Sequence, residues 1–135
     1  MVVVNFLLSP QGGANVNTTN TKGTSALHLA SENGHSDIVE ALLEYGANVT
    51  STDNKGNTAL HYAAANGHLP IVKLLVEASG SDVEARDKNG NTPLILASWN
   101  GHLNTVEYLL ESAGSNISAT DVNGNTALHV SAFKG

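Results

Sequence analysis

The 135-residue sequence contains no cysteine, and aromatic residues make up only 4% of it. Disulfides, thiolate metal sites and cysteine nucleophiles are therefore excluded, and a core must be built mainly from leucine, valine, isoleucine and alanine. No stretch approaches the roughly 18 apolar residues of a membrane-spanning helix. The N-terminal MVVVNFLL has no basic leader and no small-residue cleavage site, which argues against a signal peptide. These absences predict an intracellular, cytoplasmic protein, with the nucleus as the alternative location, and no membrane partner.

Basic residues are also scarce. The chain has six lysines and arginines against twelve aspartates and glutamates, which gives a net charge of −6. Broad affinity for nucleic acid depends on neutralising phosphates with basic side chains. We therefore expect no nucleic-acid partner.

One sequence motif, by contrast, occurs four times, and each copy begins with Lys-Gly or Asn-Gly. Its copies begin at Lys22, Lys55, Asn89 and Asn123, so the spacing is 33 or 34 residues. Such a period indicates a stack of similar units, each of which is too small to fold alone. We place repeats 1, 2 and 3 at 20–52, 53–86 and 87–120, within one domain spanning 1–135. Residues 1–19 match the C-terminal half of a repeat and 121–135 the N-terminal half, which predicts a fragment of a longer array.

Each repeat is predicted to form a turn, a helix, a reversal and a second helix. An Asx residue three positions before a glycine suits the turn, and a hydroxyl residue two positions after that glycine suits a helix N-cap. The predicted N-caps are Ser25, Thr58, Thr92 and Thr126. The first helix should end at a left-handed glycine, namely Gly34, Gly67 or Gly101. Its inward-facing leucine is predicted to be Leu27, Leu60, Leu94 or Leu128.

These residues resemble the ankyrin repeat. The match rests on Ala-Leu-His at 26–28, 59–61 and 127–129, on Gly-His beginning at 34, 67 and 101, and on Gly-Ala-Asn-Val at 13–16 and 46–49. The resemblance implies an all-α solenoid of stacked helix-turn-helix units with short β-turn or hairpin loops. Ile95 departs from the pattern, because the other copies have histidine at that position.

Six histidines invite a metal or acid–base interpretation, but the repeat accounts for every one of them. Three follow the leucine of the first helix, where the resemblance implies a hydrogen bond between the helix start and the turn, and three follow the reversal glycine. The two sets are His28, His61 and His129, and His35, His68 and His102. None has the i, i+4 spacing of helical metal ligands, and no phosphate-binding glycine motif is present. We predict a protein that is not an enzyme, with no catalytic residues, no metal site and no cofactor.

The resemblance also implies a binding surface. In ankyrin proteins the turn tips and the exposed side of the first helix form a concave groove that contacts partner proteins. The candidate partner-binding residues are Lys22, Glu32, Asn54, Lys55, Asn57, Arg86, Lys88, Asn89, Asn91, Trp99, Asn100, Val122, Asn123, Phe133 and Lys134. Five of the six basic residues lie in this set, so we expect a basic groove on an acidic protein. The alternative is that exposed tips carry lysine for solubility alone.

Trp99 and Phe133 occupy equivalent positions in successive copies, which predicts an aromatic pair on the groove floor. Exposed tryptophan is a typical binding anchor, although Trp99 alternatively packs across its own helix hairpin. The sequence therefore predicts a monomeric, non-catalytic protein-binding module whose partner is an acidic segment with an apolar anchor. A regulatory or substrate-recruiting module of a larger enzyme or channel is the alternative function.

Overall fold

The computed structural model describes residues 1–135 as eight α-helices without β-strands. The helices are α1 (Val2–Leu8), α2 (Ala26–Asn33), α3 (Ser36–Glu44), α4 (Ala59–Ala65), α5 (Leu69–Glu77), α6 (Pro93–Trp99), α7 (Leu103–Glu111) and α8 (Ala127–Lys134). An isolated antiparallel bridge joins Thr19 to Ser25 at the first turn. None of the helices combines the length and the hydrophobicity that crossing a membrane would need.

The first helix of each repeat starts at the predicted hydroxyl residue. The side-chain oxygens of Ser25, Thr58, Thr92 and Thr126 each accept a hydrogen bond from the backbone N–H three residues later. Pro93 occupies the first turn of α6, where its missing N–H leaves no intrahelical bond unmade. With only seven or eight residues each, these helices depend on packing for their stability.

The helices stack in two layers. Helices α2, α4, α6 and α8 pack consecutively in one layer, α3, α5 and α7 form the other, and the two helices of each complete repeat also pack together. The first helices pack more closely on one another than the second helices do, and their small side chains Ala30, Ala63 and Ala97 are buried. Closer packing on this side is what a stack that curves towards its first helices requires, and the resemblance implies that this side is the concave one.

The core lies between the two layers and is aliphatic, as the composition predicts. Leu27, Leu60 and Leu94 from the first helices are 1–3% exposed. They meet apolar side chains of the second helices, including Leu42 and Leu75. The predicted inward-facing leucines of the three complete repeats are thus confirmed.

The prediction that Leu128 faces inward is wrong. Its side chain is 77% exposed, because no second helix packs against α8. Helix α1, which aligns with the second helices, is likewise left without a covering first helix. Its Val3 and Leu7 are exposed, and only Val4 and Leu8 are half-buried.

Candidate protein-binding groove

Each turn is held by a side-chain oxygen, as the Asx pattern predicts. Asp53 Oδ1 accepts hydrogen bonds from the backbone N–H groups of Lys55 (2.9 Å) and Asn57 (3.0 Å). Equivalent pairs of bonds are accepted by Asn20, Asp87 and Asp121. Every turn therefore presents its tip residues in the same orientation.

Successive tips are also bonded to one another through the backbone. The N–H of Asn54 donates to the carbonyl oxygen of Lys22, and the N–H of Lys88 donates to that of Lys55, both at 3.0 Å. A third bond of 3.0 Å joins Val122 N–H to the Asn89 carbonyl oxygen. We call this series the tip ladder. It places the exposed side chains of Lys22, Lys55 and Lys88 in a row along the stack.

Buried histidines link the repeats below the tips. In repeat 1, His28 Nδ1 accepts a hydrogen bond from the Ser25 N–H (3.1 Å), so Nε2 carries the proton and donates to the Asn57 carbonyl of repeat 2 (2.9 Å). His61 repeats the arrangement with Thr58 and with the Asn91 carbonyl oxygen. Burial lowers the pKa of His61 below its ordinary value, which favours the neutral ring that this geometry requires. The predicted bond from histidine to the helix start is confirmed.

The histidines after the reversal glycine link repeats as well. His68 Nε2 donates to the Glu32 carbonyl oxygen, and His102 Nε2 donates to the Ala65 carbonyl oxygen, each at 3.0 Å. With His28 and His61, four of the six histidines bridge adjacent repeats. In each of these four histidines, the Nε2 proton is used to hold the stack together.

The junction between α6 and α8 lacks one of these links. Ile95 cannot donate to the Asn125 carbonyl oxygen, which accepts only the backbone bond from Asp121 N–H at 2.9 Å. The N–H of Thr92 also lacks the ring nitrogen that accepts in the other copies. This junction is held instead by the tip ladder, by packing and by the hydrogen bond that the Arg86 guanidinium donates to the Thr120 carbonyl oxygen.

The two groove aromatics lie together at this same junction. The rings of Trp99 and Phe133 are stacked with a centroid separation of 5.7 Å and an interplanar angle of 14°. Trp99 is 38% exposed and Phe133 80% exposed, and Lys134 Nζ lies 4.9 Å from the Trp99 ring centroid. The predicted adjacency is confirmed, and Trp99 faces its counterpart on α8.

A cleft of about 500 Å³ opens beside this pair. Its lining includes the aliphatic side chains of Ile95, Leu96 and Val130, the aromatic rings of Trp99 and Phe133, and the imidazole of His129. Polar residues of the two neighbouring turns surround it. Six of the candidate residues line the cleft, namely Asn89, Asn91, Trp99, Val122, Asn123 and Phe133.

Other candidate residues already bond within the chain. The Arg86 guanidinium donates to the Thr120 carbonyl oxygen, Asn54 Nδ2 donates to the Thr21 carbonyl oxygen (3.2 Å), and Asn100 Nδ2 donates to the Leu96 carbonyl oxygen (3.1 Å). Asn57 is half-buried and its Oδ1 atom has no partner. The side chains of Arg86, Asn54 and Asn100 therefore stabilise the groove. Glu32, in repeat 1, is exposed but does not line the cleft.

Sequence reasoning missed Tyr62. Its hydroxyl donates to the Asp53 carboxylate, and its ring lies edge-on to His28 at 5.9 Å between centroids. Burial and this bond raise the pKa of Tyr62 to about 12. Burial of Asp53 acts to raise its pKa, but hydrogen bonds from Tyr62 and two backbone N–H groups outweigh it, and the pKa is lowered. The sequence could have indicated this role, because it has a tyrosine at a position where the other copies have leucine or valine.

The geometry defines a solenoid of stacked helix hairpins that presents its turns and first helices on a concave face. A family model described as ankyrin repeats (3 copies) matches residues 2–87, and another described as ankyrin repeats (many copies) matches residues 67–110 and 101–135. The chain belongs to the ankyrin-repeat family. The all-α solenoid that the resemblance implied is thereby confirmed, and ankyrin repeats generally serve as protein–protein interaction modules.

Proposed function

We propose that the concave groove binds a protein partner without catalysing a reaction, and that the bound element is an acidic segment with an apolar anchor residue. The observation that carries the proposal is the position of an exposed aromatic pair and a partly apolar cleft next to a row of lysines. Exposed Trp99 and Phe133 supply the contact area typical of binding hot spots. The lysines supply steering and orientation, which weaken as salt rises.

The charges divide the groove into two parts. Lys22, Lys55 and Lys88 are exposed along the tips, so carboxylates of the partner are favoured there. The cleft instead contains Asp121, whose pKa is lowered first by the hydrogen bond from the Asn125 backbone N–H. That carboxylate is ionised at neutral pH and disfavours a second carboxylate in the cleft. The apolar residue of the partner therefore enters the cleft while its acidic residues follow the lysines.

Affinity capture from lysate with matched variants tests this proposal. Trp99→Ala should weaken binding of the captured partner about thirtyfold, as expected for a hot-spot tryptophan that contributes about 2 kcal/mol. The double variant Lys55→Glu, Lys88→Glu should weaken it about tenfold at low salt, with a smaller effect at high salt.

Two substitutions on the second-helix side serve as controls. Tyr45→Ala removes an exposed aromatic residue at the end of α3, and Lys73→Glu reverses an exposed charge on α5. Both should leave capture unchanged. If the controls and the groove variants behave alike, the groove is not the binding surface.

A further inference from the structure

Both junctions between complete repeats contain the same three hydrogen bonds. Each has one tip N–H and two histidine Nε2 atoms that donate to backbone carbonyl oxygens of the neighbouring repeat. Between repeats 1 and 2 the pairs are Asn54 with Lys22, His28 with Asn57, and His68 with Glu32. Between repeats 2 and 3 they are Lys88 with Lys55, His61 with Asn91, and His102 with Ala65.

The α8 end of the stack exposes one half of each of these bonds. The carbonyl oxygen of Asn123, which corresponds to the acceptor of each tip bond, accepts no backbone hydrogen bond, and neither does that of Phe133, which corresponds to Glu32. His129 Nδ1 accepts from the Thr126 N–H at 3.1 Å, so Nε2 carries the proton. This donor has no acceptor, because no repeat follows α8.

Repeat 1 exposes the complementary halves on its opposite side. The Thr21 N–H, which corresponds to the donor of each tip bond, makes no backbone hydrogen bond. The exposed His35 corresponds to the histidines that reach back to the preceding first helix, and the Thr24 carbonyl oxygen corresponds to the acceptor that His28 uses. Every bond of a further junction thus has its donor on one end of the chain and its acceptor on the other.

The apolar surfaces of the two ends match in the same way. In repeat 1, Leu27 of the first helix and Leu42 of the second are each 2% exposed and belong to one apolar cluster. Their counterparts at the ends are Leu128 on α8, which is 77% exposed, and Leu7 on α1, which is 47% exposed. Helix α8 is a first helix without a second, and α1 is a second helix without a first.

We infer that copies of this chain associate head to tail, with α1 of one copy supplying the second helix that α8 of another copy lacks. In this junction Thr21 N–H donates to the Asn123 carbonyl oxygen, His129 Nε2 to that of Thr24, and His35 to that of Phe133. Leu128 and Leu7 cover each other. The occupant of each end is a second copy, because this one chain carries both halves of every contact. The sequence predicted a monomer, so the inference replaces that expectation.

A junction of this kind joins two different surfaces, so every assembly keeps one free α8 end and one free α1 end. Association therefore does not stop at the dimer. The average mass of the purified 135-residue chain should rise with concentration from about 1 μM to about 1 mM, and should pass twice the mass of one chain. Analytical ultracentrifugation measures this rise.

Two variants block one end each. Leu128→Asp charges the α8 end and Leu7→Asp charges the α1 end, and because both leucines are exposed, neither change should lower resistance to urea. Each variant alone should associate at least about a hundredfold more weakly than the wild type, since its junction would bury a carboxylate. An equimolar mixture should form dimers and nothing larger, because one intact α8 end meets one intact α1 end.

Two further variants complete the set. His129→Ala removes one of the three bonds and should weaken association about fivefold. Tyr45→Asp charges an exposed aromatic residue at the end of α3, away from both ends of the stack. It should associate like the wild type.

The outcomes decide the inference. A wild type that keeps the mass of one chain at every concentration overturns it and leaves the ends to be covered by other repeats. Blocked variants that still associate alone, or a mixture of them that stays monomeric, overturn the head-to-tail arrangement. If either aspartate variant unfolds at lower urea than the wild type, His129→Ala carries the test, and unchanged association in that variant overturns the inference.

Discussion

Replacing Gly67 by alanine should destabilise the protein more than the same change at Gly101, although both glycines follow the first helix of a repeat in the same left-handed conformation. Their φ angles are +69° and +74°. A Cβ built on Gly67 would lie 2.5 Å from Nδ1 of His102, whereas a Cβ on Gly101 meets nothing within 4 Å. The two substitutions therefore share the backbone effect and differ only in the contact with the histidine.

The magnitudes follow from these two terms. A left-handed alanine costs about 1–2 kcal/mol, and the loss of unfolded-state entropy offsets roughly 0.7 kcal/mol of that, so Gly101→Ala should cost about 1 kcal/mol. At Gly67 the His102 ring must move as well, although its Nε2 is bonded to the Ala65 carbonyl oxygen. Breaking that bond adds about 1 kcal/mol, which brings the expected loss for Gly67→Ala to about 2 kcal/mol or more.

Urea unfolding of the two variants, followed by far-ultraviolet circular dichroism, measures this difference. A third variant, His102→Ala combined with Gly67→Ala, removes the ring that the new methyl group meets. In that background the cost of Gly67→Ala should drop to that of Gly101→Ala. Equal losses in the two single variants, or an unchanged cost without the ring, would refute the role assigned to His102.

Two predictions concern pH. Tyr62→Phe removes a hydrogen bond to the Asp53 carboxylate, which at this partly exposed site contributes about 1 kcal/mol at neutral pH. The bond helps to lower the Asp53 pKa below its ordinary value of 3.8. The loss of unfolding free energy in Tyr62→Phe should therefore shrink as pH falls through the folded-state pKa of Asp53. A loss that does not depend on pH would contradict the role assigned to this bond. Stability should also fall between about pH 7.5 and about pH 5.5, because burial lowers the pKa of His61 and the unfolded chain takes up its proton first. His61→Asn should reduce this slope by at most about 1.4 kcal/mol per pH unit, and an unchanged slope would show that His61 does not cause it.

The repeated residues predicted most of the fold because each performs one local task. A threonine such as Thr58 caps the helix that follows it, an aspartate such as Asp87 closes its own turn, and a histidine such as His61 joins that turn to the next. The cap and turn bonds depend on short spacings along the chain, and the histidine bond between repeats recurs because the repeat itself recurs. The two terminal half-repeats were less predictable, because burial depends on what packs against a helix, and Leu128 has no such neighbour.

The groove was predictable at its exposed positions and less so where side chains interact with one another. The adjacency of Trp99 and Phe133 followed from their equivalent places in two copies. The bonding of Arg86 to the next repeat did not, because it depends on the reach of a long side chain. The cleft beside Trp99 did not either, because residues of two helices and two turns line it together.

Because the tip ladder already orders the backbone of the groove, the proposed binding of a partner should cost little backbone conformational entropy. The three hydrogen bonds of the ladder order the backbone around Lys22, Lys55 and Lys88 before any partner arrives. Ordering a free backbone residue costs about 1–2 kcal/mol, whereas immobilising an exposed lysine side chain on association costs about 0.5–1.5 kcal/mol. Only the second cost remains here. A groove of this kind keeps its shape, so under the proposed function it would discriminate among partners by their fit to it.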